Sequence, residues 1–234
     1  MGAMNTIEPQ PPAPLWRRAA AELIGTGLLV AVVVGSGIAA QRLSPDDTGL
    51  ELLENSIATA FGLAVLILIF QTVSGAHFNP VVTLADRALG TRLSAATIAV
   101  YVIAQVAGGI GGALLANAMF DTPIALSTTD RATAGHLLGE VVATAGLILL
   151  IFALARTGRA TLAGPAVGAY IGAAYWFTSS TAFANPAVTI GRIFTDTFAG
   201  IAPASAWPYL AAQLLGAAVG VLLVLLFFPR KALS

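Results

Sequence analysis

The sequence predicts an all-α integral membrane protein: six transmembrane helices plus two re-entrant half-helices in an inverted repeat. Three observations predict it. Hydrophobic residues make up 57% of the 234 residues and charged residues 9%, with a mean hydropathy of +0.87, a composition far from that of soluble domains. Six apolar stretches are each long enough to cross a bilayer, which takes roughly 17 to 25 residues. Among them, two short Asn-Pro segments recur 106 residues apart, at Asn79-Pro80 and Asn185-Pro186.

The first eighteen residues, MGAMNTIEPQPPAPLWRR, are polar and Pro-rich. Residues 1–15 read as a disordered tail, with no apolar region or cleavage site of the kind a signal peptide carries. Met1, Gly2 and Thr6 formally match the myristoylation pattern; a chance match or an expression scar is the simpler account. Trp16, Arg17 and Arg18 read as an interfacial anchor for the first span.

The spans fall at about 19–40, 55–73, 94–119, 136–155, 160–182 and 207–228, within one domain over residues 16–230. Half-helix segments at 74–90 and 181–195 follow the second and fifth spans. The order is span, span, half-helix, span, and then the same again, with repeats at about 16–120 and 130–230. Three crossings per half place the second repeat upside down relative to the first.

Each half-helix opens on Asn, a strong N-cap, followed by Pro, which is favoured at the first helical position. The segments run Ser74-Gly75-Ala76-His77-Phe78-Asn79-Pro80-Val81 and Ala184-Asn185-Pro186-Ala187-Val188-Thr189. About ten helical residues rise roughly 15 Å, half of a hydrocarbon core. Two such segments in corresponding places point to a solute path between the halves. Further markers repeat in order: Glu22 answers Glu140, and Tyr101 with Gln105 answers Tyr209 with Gln213.

The side that carries both termini holds Arg17, Arg18, Arg87, Arg92, Arg156, Arg159, Arg230 and Lys231. The other side holds only Arg42, Arg131 and Arg192. This imbalance predicts cytoplasmic termini in a cell (inner) membrane protein. Asp46, Asp47, Glu51 and Glu54 in the first exterior loop read as a solvated face. Pairs such as Gly108 and Gly112, or Gly216 and Gly220, have the spacing of close helix contacts in lipid. They serve packing within or between subunits.

Formal net charge is zero, which offers no argument for a nucleic-acid partner, and there are no cysteines. His77 and His136 lack spaced metal ligands, and no serine sits in a His–Asp context. No enzyme, metal or cofactor is expected. His136 reads as interfacial and His77 as lining a pore mouth. Glu22 and Glu140 are the intramembrane acids, hence functional candidates. They suit either proton coupling in a secondary transporter or, the preferred reading, acceptors for unpaired backbone N–H groups of the re-entrant loops. Asn79 and Asn185 would each cap a half-helix through the amide oxygen and offer the NH₂ as a pore donor. With two helix dipoles behind them, cations and protons meet an unfavourable potential.

On these motifs the chain resembles the aquaporin, or major intrinsic protein, superfamily over residues 16–230. The resemblance is carried by Ala21-Glu22-Leu23-Ile24-Gly25-Thr26, Ser74 to Pro80, and Asn185-Pro186-Ala187. It implies a homotetramer with a pore in every subunit, and passive conduction of water or small uncharged solutes. Two positions depart from the family pattern. The first motif ends in Val81 rather than Ala, and Val188 stands where the family usually places a filter Arg.

Counting back from the Asn residues without gaps gives Thr59, Ala173 and Ala182 as the remaining filter positions, a wide and mostly apolar set with Val188. Arg192, one helical turn beyond Val188, is open to two readings. It either restores a charge to the outer vestibule, or stabilises the end of the half-helix or pairs with Asp196. The Val at 188 is similar to a bacterial subgroup associated with arsenic handling. That resemblance makes metalloid species such as arsenite, glycerol-like polyols and water the expected permeants. The alternative is a proton-coupled transporter using Glu22 and Glu140.

Overall fold

The computed structural model describes residues 13–229. The tail over residues 1–12, with its myristoylation pattern, and the basic pair Arg230 and Lys231 lie outside the described residues. Among the described residues eight α-helices form in the expected order: α1 Leu15–Leu43, α2 Thr48–Ser74, α3 Pro80–Ala88, α4 Ala95–Met119, α5 Ala134–Arg156, α6 Ala163–Phe177, α7 Pro186–Gly191 and α8 Pro203–Phe227. No strand occurs among the described residues. Helices α1, α2, α4, α5 and α8 are each long and apolar enough to cross a membrane on their own.

The fifth span departs from expectation. Instead of running over 160–182, α6 has 15 residues, preceded by a 3₁₀ turn at Ala160–Leu162. The helix stops at a polar break, Thr178-Ser179-Ser180-Thr181, which the expected span ran through. Ala182, Phe183 and Ala184 beyond it are buried in protein rather than helical.

The two halves pack alike. Helix α1 lies against α4 and α2, as α5 lies against α8 and α6; α3 touches α4 and α8, as α7 touches α8 and α4. Thus α6 stands where α2 stands and serves as the sixth crossing. Helix α2 also packs on α6 and joins the halves. Close approach is made by glycine: a Cβ at Gly112 would meet the Gly27 carbonyl oxygen at 2.1 Å, and one at Gly216 would meet that of Val141 at 2.6 Å. In lipid, where no hydrophobic force drives helices together, such backbone contact supplies the packing.

Both described ends lie on one face of the bundle, here the terminal face. Asp47 caps α2 by accepting from Leu50 N at 2.9 Å, and Asp46 and Asp47 are exposed. Glu51, by contrast, is turned inward and buried.

Candidate pore and filter

Two short loops, 75–78 and 178–184, carry the chain from a spanning helix back to a half-helix. Ala76 and Phe78 in the first, and Ala182 and Ala184 in the second, adopt left-handed backbone with φ between 47° and 50°, a conformation that costs non-glycine residues energy and must be held by its surroundings. Glutamates hold it. Glu22 Oε1 accepts from Ser74 Oγ at 2.6 Å and His77 N at 3.0 Å, and Oε2 accepts from Phe78 N and Gln105 Nε2, both at 2.7 Å. Glu140 accepts from Phe183 N and Ala184 N at 2.9 Å and from Gln213 Nε2 at 2.6 Å. Each carboxylate is fully buried and occupied on both oxygens.

The loops deliver Asn79 and Asn185 to the bundle centre. Asn79 Oδ1 accepts from Val81 N at 3.0 Å, and Asn185 Oδ1 from Ala187 N at 2.9 Å and Val188 N at 3.3 Å. The two caps are also cross-linked. Asn79 Nδ2 donates to the Ala184 carbonyl and Asn185 Nδ2 to that of Phe78, each at 2.8 Å. One of each amide's two hydrogens is therefore spent on the opposite loop, which sequence reasoning did not anticipate, and the second remains for the cavity that both residues line. Pro80, Val81, Pro186 and Ala187 are buried behind them.

That cavity runs from His77 on the terminal-face side past the Asn pair to Thr59, Tyr175 and Arg192. His77 packs against Thr83 and Asp86: Nδ1 lies 3.0 Å from Thr83 Oγ1, and Nε2 lies 3.6 Å from Asp86 Oδ2. Thr59, Ala182 and Val188 line the wall as expected by position. Ala173 does not. It is exposed on the outer surface of α6, and Tyr175 lines the wall instead, with its hydroxyl 3.1 Å from Thr59 Oγ1. A helix turns about 100° per residue, so a two-residue error in a count across the 178–184 loop moves a side chain to the opposite face.

Arg192 also enters the wall. It is 3% exposed, its Nε donates to the Ala199 carbonyl, and its guanidinium centre lies 3.4 Å from the Phe183 ring centroid. The pairing with Asp196 does not form, because Asp196 accepts from Thr128 N at 2.9 Å and Thr128 Oγ1 at 3.1 Å. The expected mostly apolar constriction is thus a mixed wall: a guanidinium and two hydroxyls facing Val188, Ala182 and Phe183. The signal for this lay in the repeat register, since Arg192 and Phe183 occupy the places of Asp86 and His77 in the first half.

The loop before α5 frames this end. Asp130 Oδ1 accepts from Ser205 Oγ at 2.5 Å, which holds its carboxyl below the usual range. Burial draws the Arg131 guanidinium below its usual pKa. Among the described residues no group of three or more His, Cys, Asp or Glu converges, and the chemistry the cavity offers is hydrogen bonding and charge.

The family model "Major intrinsic protein" matches residues 11–182. The chain is 50% identical over 211 residues to "Aquaglyceroporin AqpS" of Rhizobium meliloti (strain 1021), covering 90% of this chain and 89% of that protein. It is 33% identical over 223 residues to "Aquaporin NIP6-1" of Arabidopsis thaliana, covering 91% and 69%. Its fold matches the X-ray structure of the aquaglyceroporin from Plasmodium falciparum with a TM-score of 0.69 at 19% identity, over 90% of this chain and 96% of that one.

Proposed function

The chain belongs to the major intrinsic protein family, a family of membrane channels rather than enzymes, and we propose that it is a passive pore for small uncharged polyhydroxy solutes. The observation that carries the reading is the cross-linked Asn79–Asn185 pair, set in one cavity that continues to Thr59, Tyr175 and Arg192. A permeant hydroxyl meets amide donors at the centre and hydroxyls and a guanidinium at the filter. Its carbon skeleton meets Val188, Ala182 and Phe183.

Val188 keeps the level of the half-helix's first turn free of the bulky cation the family usually carries there, and Arg192 supplies the positive charge one turn further out. Such a filter admits glycerol-sized polyols and, as neutral trihydroxy molecules of similar shape, metalloid species such as arsenite. The 50% identity to a protein named an aquaglyceroporin supports the polyol class. His77 lines the terminal-face mouth. We place the termini in the cytoplasm on the Lys and Arg imbalance, and expect the subunits to assemble as a homotetramer in the cell membrane.

The proton-coupled alternative would need Glu22 or Glu140 to exchange protons. Both carboxylates are committed as acceptors to backbone N–H groups, which supports the structural reading. Stopped-flow uptake of glycerol, arsenite and water into proteoliposomes tests the proposal. Passage of water alone sinks the wide-filter reading, and accumulation against a gradient that an uncoupler abolishes sinks passive conduction.

A further inference from the structure

Three consecutive carbonyls, at Phe198, Ala199 and Gly200, form a strap behind Arg192, outside the cavity lining itself. The middle one takes Arg192 Nε. The outer two take Arg131, which lies far away in sequence: its Nε donates to Gly200 O at 2.7 Å and its Nη2 to Phe198 O at 2.8 Å. Among the described residues no other donor reaches either outer carbonyl. The same two arginines share an aromatic ring, with guanidinium centres 3.4 Å (Arg192) and 5.6 Å (Arg131) from the Phe183 centroid. Neither forms an ion pair among the described residues, so carbonyl dipoles and the Phe183 ring are what fix two like charges near each other.

Arg131 is itself anchored through its backbone. Its N–H donates to Ser205 Oγ at 2.9 Å, and its carbonyl oxygen lies 2.7 Å from His136 Nδ1. The strap is tight at its Arg131 end, where a Cβ on Gly200 would come within 2.3 Å of the Thr195 carbonyl oxygen. Arg131 does not line the cavity. Its reach ends on the strap and ring that hold the residue that does.

We infer that Arg131 is a positioning residue for the filter: it clamps the 198–200 strap and Phe183 so that the Arg192 guanidinium stays in the pore wall. The inference rests on the reading of Arg192 as the pore's cation barrier. With Arg131 gone, the strap carbonyls lose their donors, Arg192 gains freedom to swing with Ala199, and cations find a less guarded path. Neutral solutes meet no Coulomb barrier and keep the Asn79 and Asn185 amides and the Thr59 and Tyr175 hydroxyls as partners, so their passage changes far less.

The test measures potassium leak and glycerol uptake in proteoliposomes of the full chain carrying Arg131→Ala, Arg131→Lys, Arg192→Ala or Arg131→Ala with Arg192→Ala. Arg131→Ala should raise potassium leak by roughly tenfold, within the range for residues sharing one hydrogen-bond network, with glycerol uptake changed by less than about twofold. The double variant should leak no more than Arg192→Ala alone, and Arg131→Lys, which keeps one donor to the strap, should restore part of the barrier. If Arg131→Ala does not fold, Arg131→Lys read against Arg192→Ala serves, with an intermediate leak expected. Wild-type leak in the Arg131 variants beside a raised leak in Arg192→Ala overturns the positioning role and leaves the filter reading standing. Additive leaks in the double variant overturn it too. An unchanged leak in Arg192→Ala overturns the cation barrier, and the positioning role with it.

Discussion

Asp86 and Arg192 occupy the same place in the two halves, seven residues beyond Asn79 and Asn185, and carry opposite charges. Each faces the residue two before its Asn. Asp86 lies 3.6 Å from the His77 ring nitrogen at the terminal face, and Arg192 lies over Phe183 at the far face. One backbone plan, used twice upside down, thus sets an imidazole backed by a carboxylate at one end of the cavity and a guanidinium over a ring at the other. The fold needs the symmetry, and the proposed filter lies where the side chains break it.

The broken symmetry predicts that restoring it makes the channel leak. Arg192→Asp puts a carboxylate in the cavity wall where the guanidinium stood. A unit charge about 8 Å from a passing cation contributes about 2 kcal/mol at an effective dielectric of about 20, and converting repulsion into attraction doubles that. Potassium conductance should rise by two orders of magnitude or more. Conductance equal to that of the parent protein in planar bilayers would remove Arg192 from the permeation path.

Most of the plan behind this is legible in the sequence, for physical reasons. Asn79, Pro80, Asn185 and Pro186 announce their half-helices because capping chemistry is local. Glu22 and Glu140 stand out because acids are costly in an apolar span. The rest depends on tertiary packing. Ala182 to Ala184 are as apolar as a helix, yet form a loop whose N–H groups are satisfied by Ser180 Oγ and Glu140. Whether Ala173 or Tyr175 faces the cavity is a matter of helix phase across that loop. Nothing local marks Arg131 either, since its partners lie in a different loop of the chain.

The phase of α6 gives a direct comparison. Ala173 faces outward and Ala182 lines the cavity, so the same enlargement should act at one and not at the other. Ala182→Leu should reduce glycerol uptake at least tenfold, because a buried wall has no slack for three added carbons. Ala173→Leu should leave uptake within about twofold, as lipid accommodates an exposed leucine. Equal effects in stopped-flow light scattering would restore Ala173 to the filter.

The carboxylates should behave as structural acceptors. Glu140→Ala leaves Phe183 N and Ala184 N buried without their acceptor, at about 1–3 kcal/mol each, and takes one of two acceptors from Gln213 Nε2, which keeps Thr189 Oγ1; the protein should fail to fold. Glu140→Gln keeps one acceptor oxygen and should survive with a lowered melting temperature in detergent. Its glycerol uptake should remain insensitive to a proton gradient. Loss of a gradient-dependent component in Glu140→Gln would instead mark the residue as a proton carrier.

The central amides separate capping from donation. Asn79→Asp keeps an oxygen that accepts from Val81 N, so the half-helix cap, worth about 1 kcal/mol, should persist. It loses the donor to the Ala184 carbonyl and sets a carboxylate in the cavity where Nδ2 stood. The substitution should therefore cost little in the fold of α3, weaken the tie between the two loops, and attract cations to the midplane. Asn79→Ala loses cap and tie together and should be the less stable of the two. Melting temperatures of both variants, read beside potassium and glycerol flux, check the ordering. If Asn79→Asp conducts glycerol and excludes potassium as the parent does, the amide's second hydrogen does not face the permeant, and donation must be assigned to Asn185 alone.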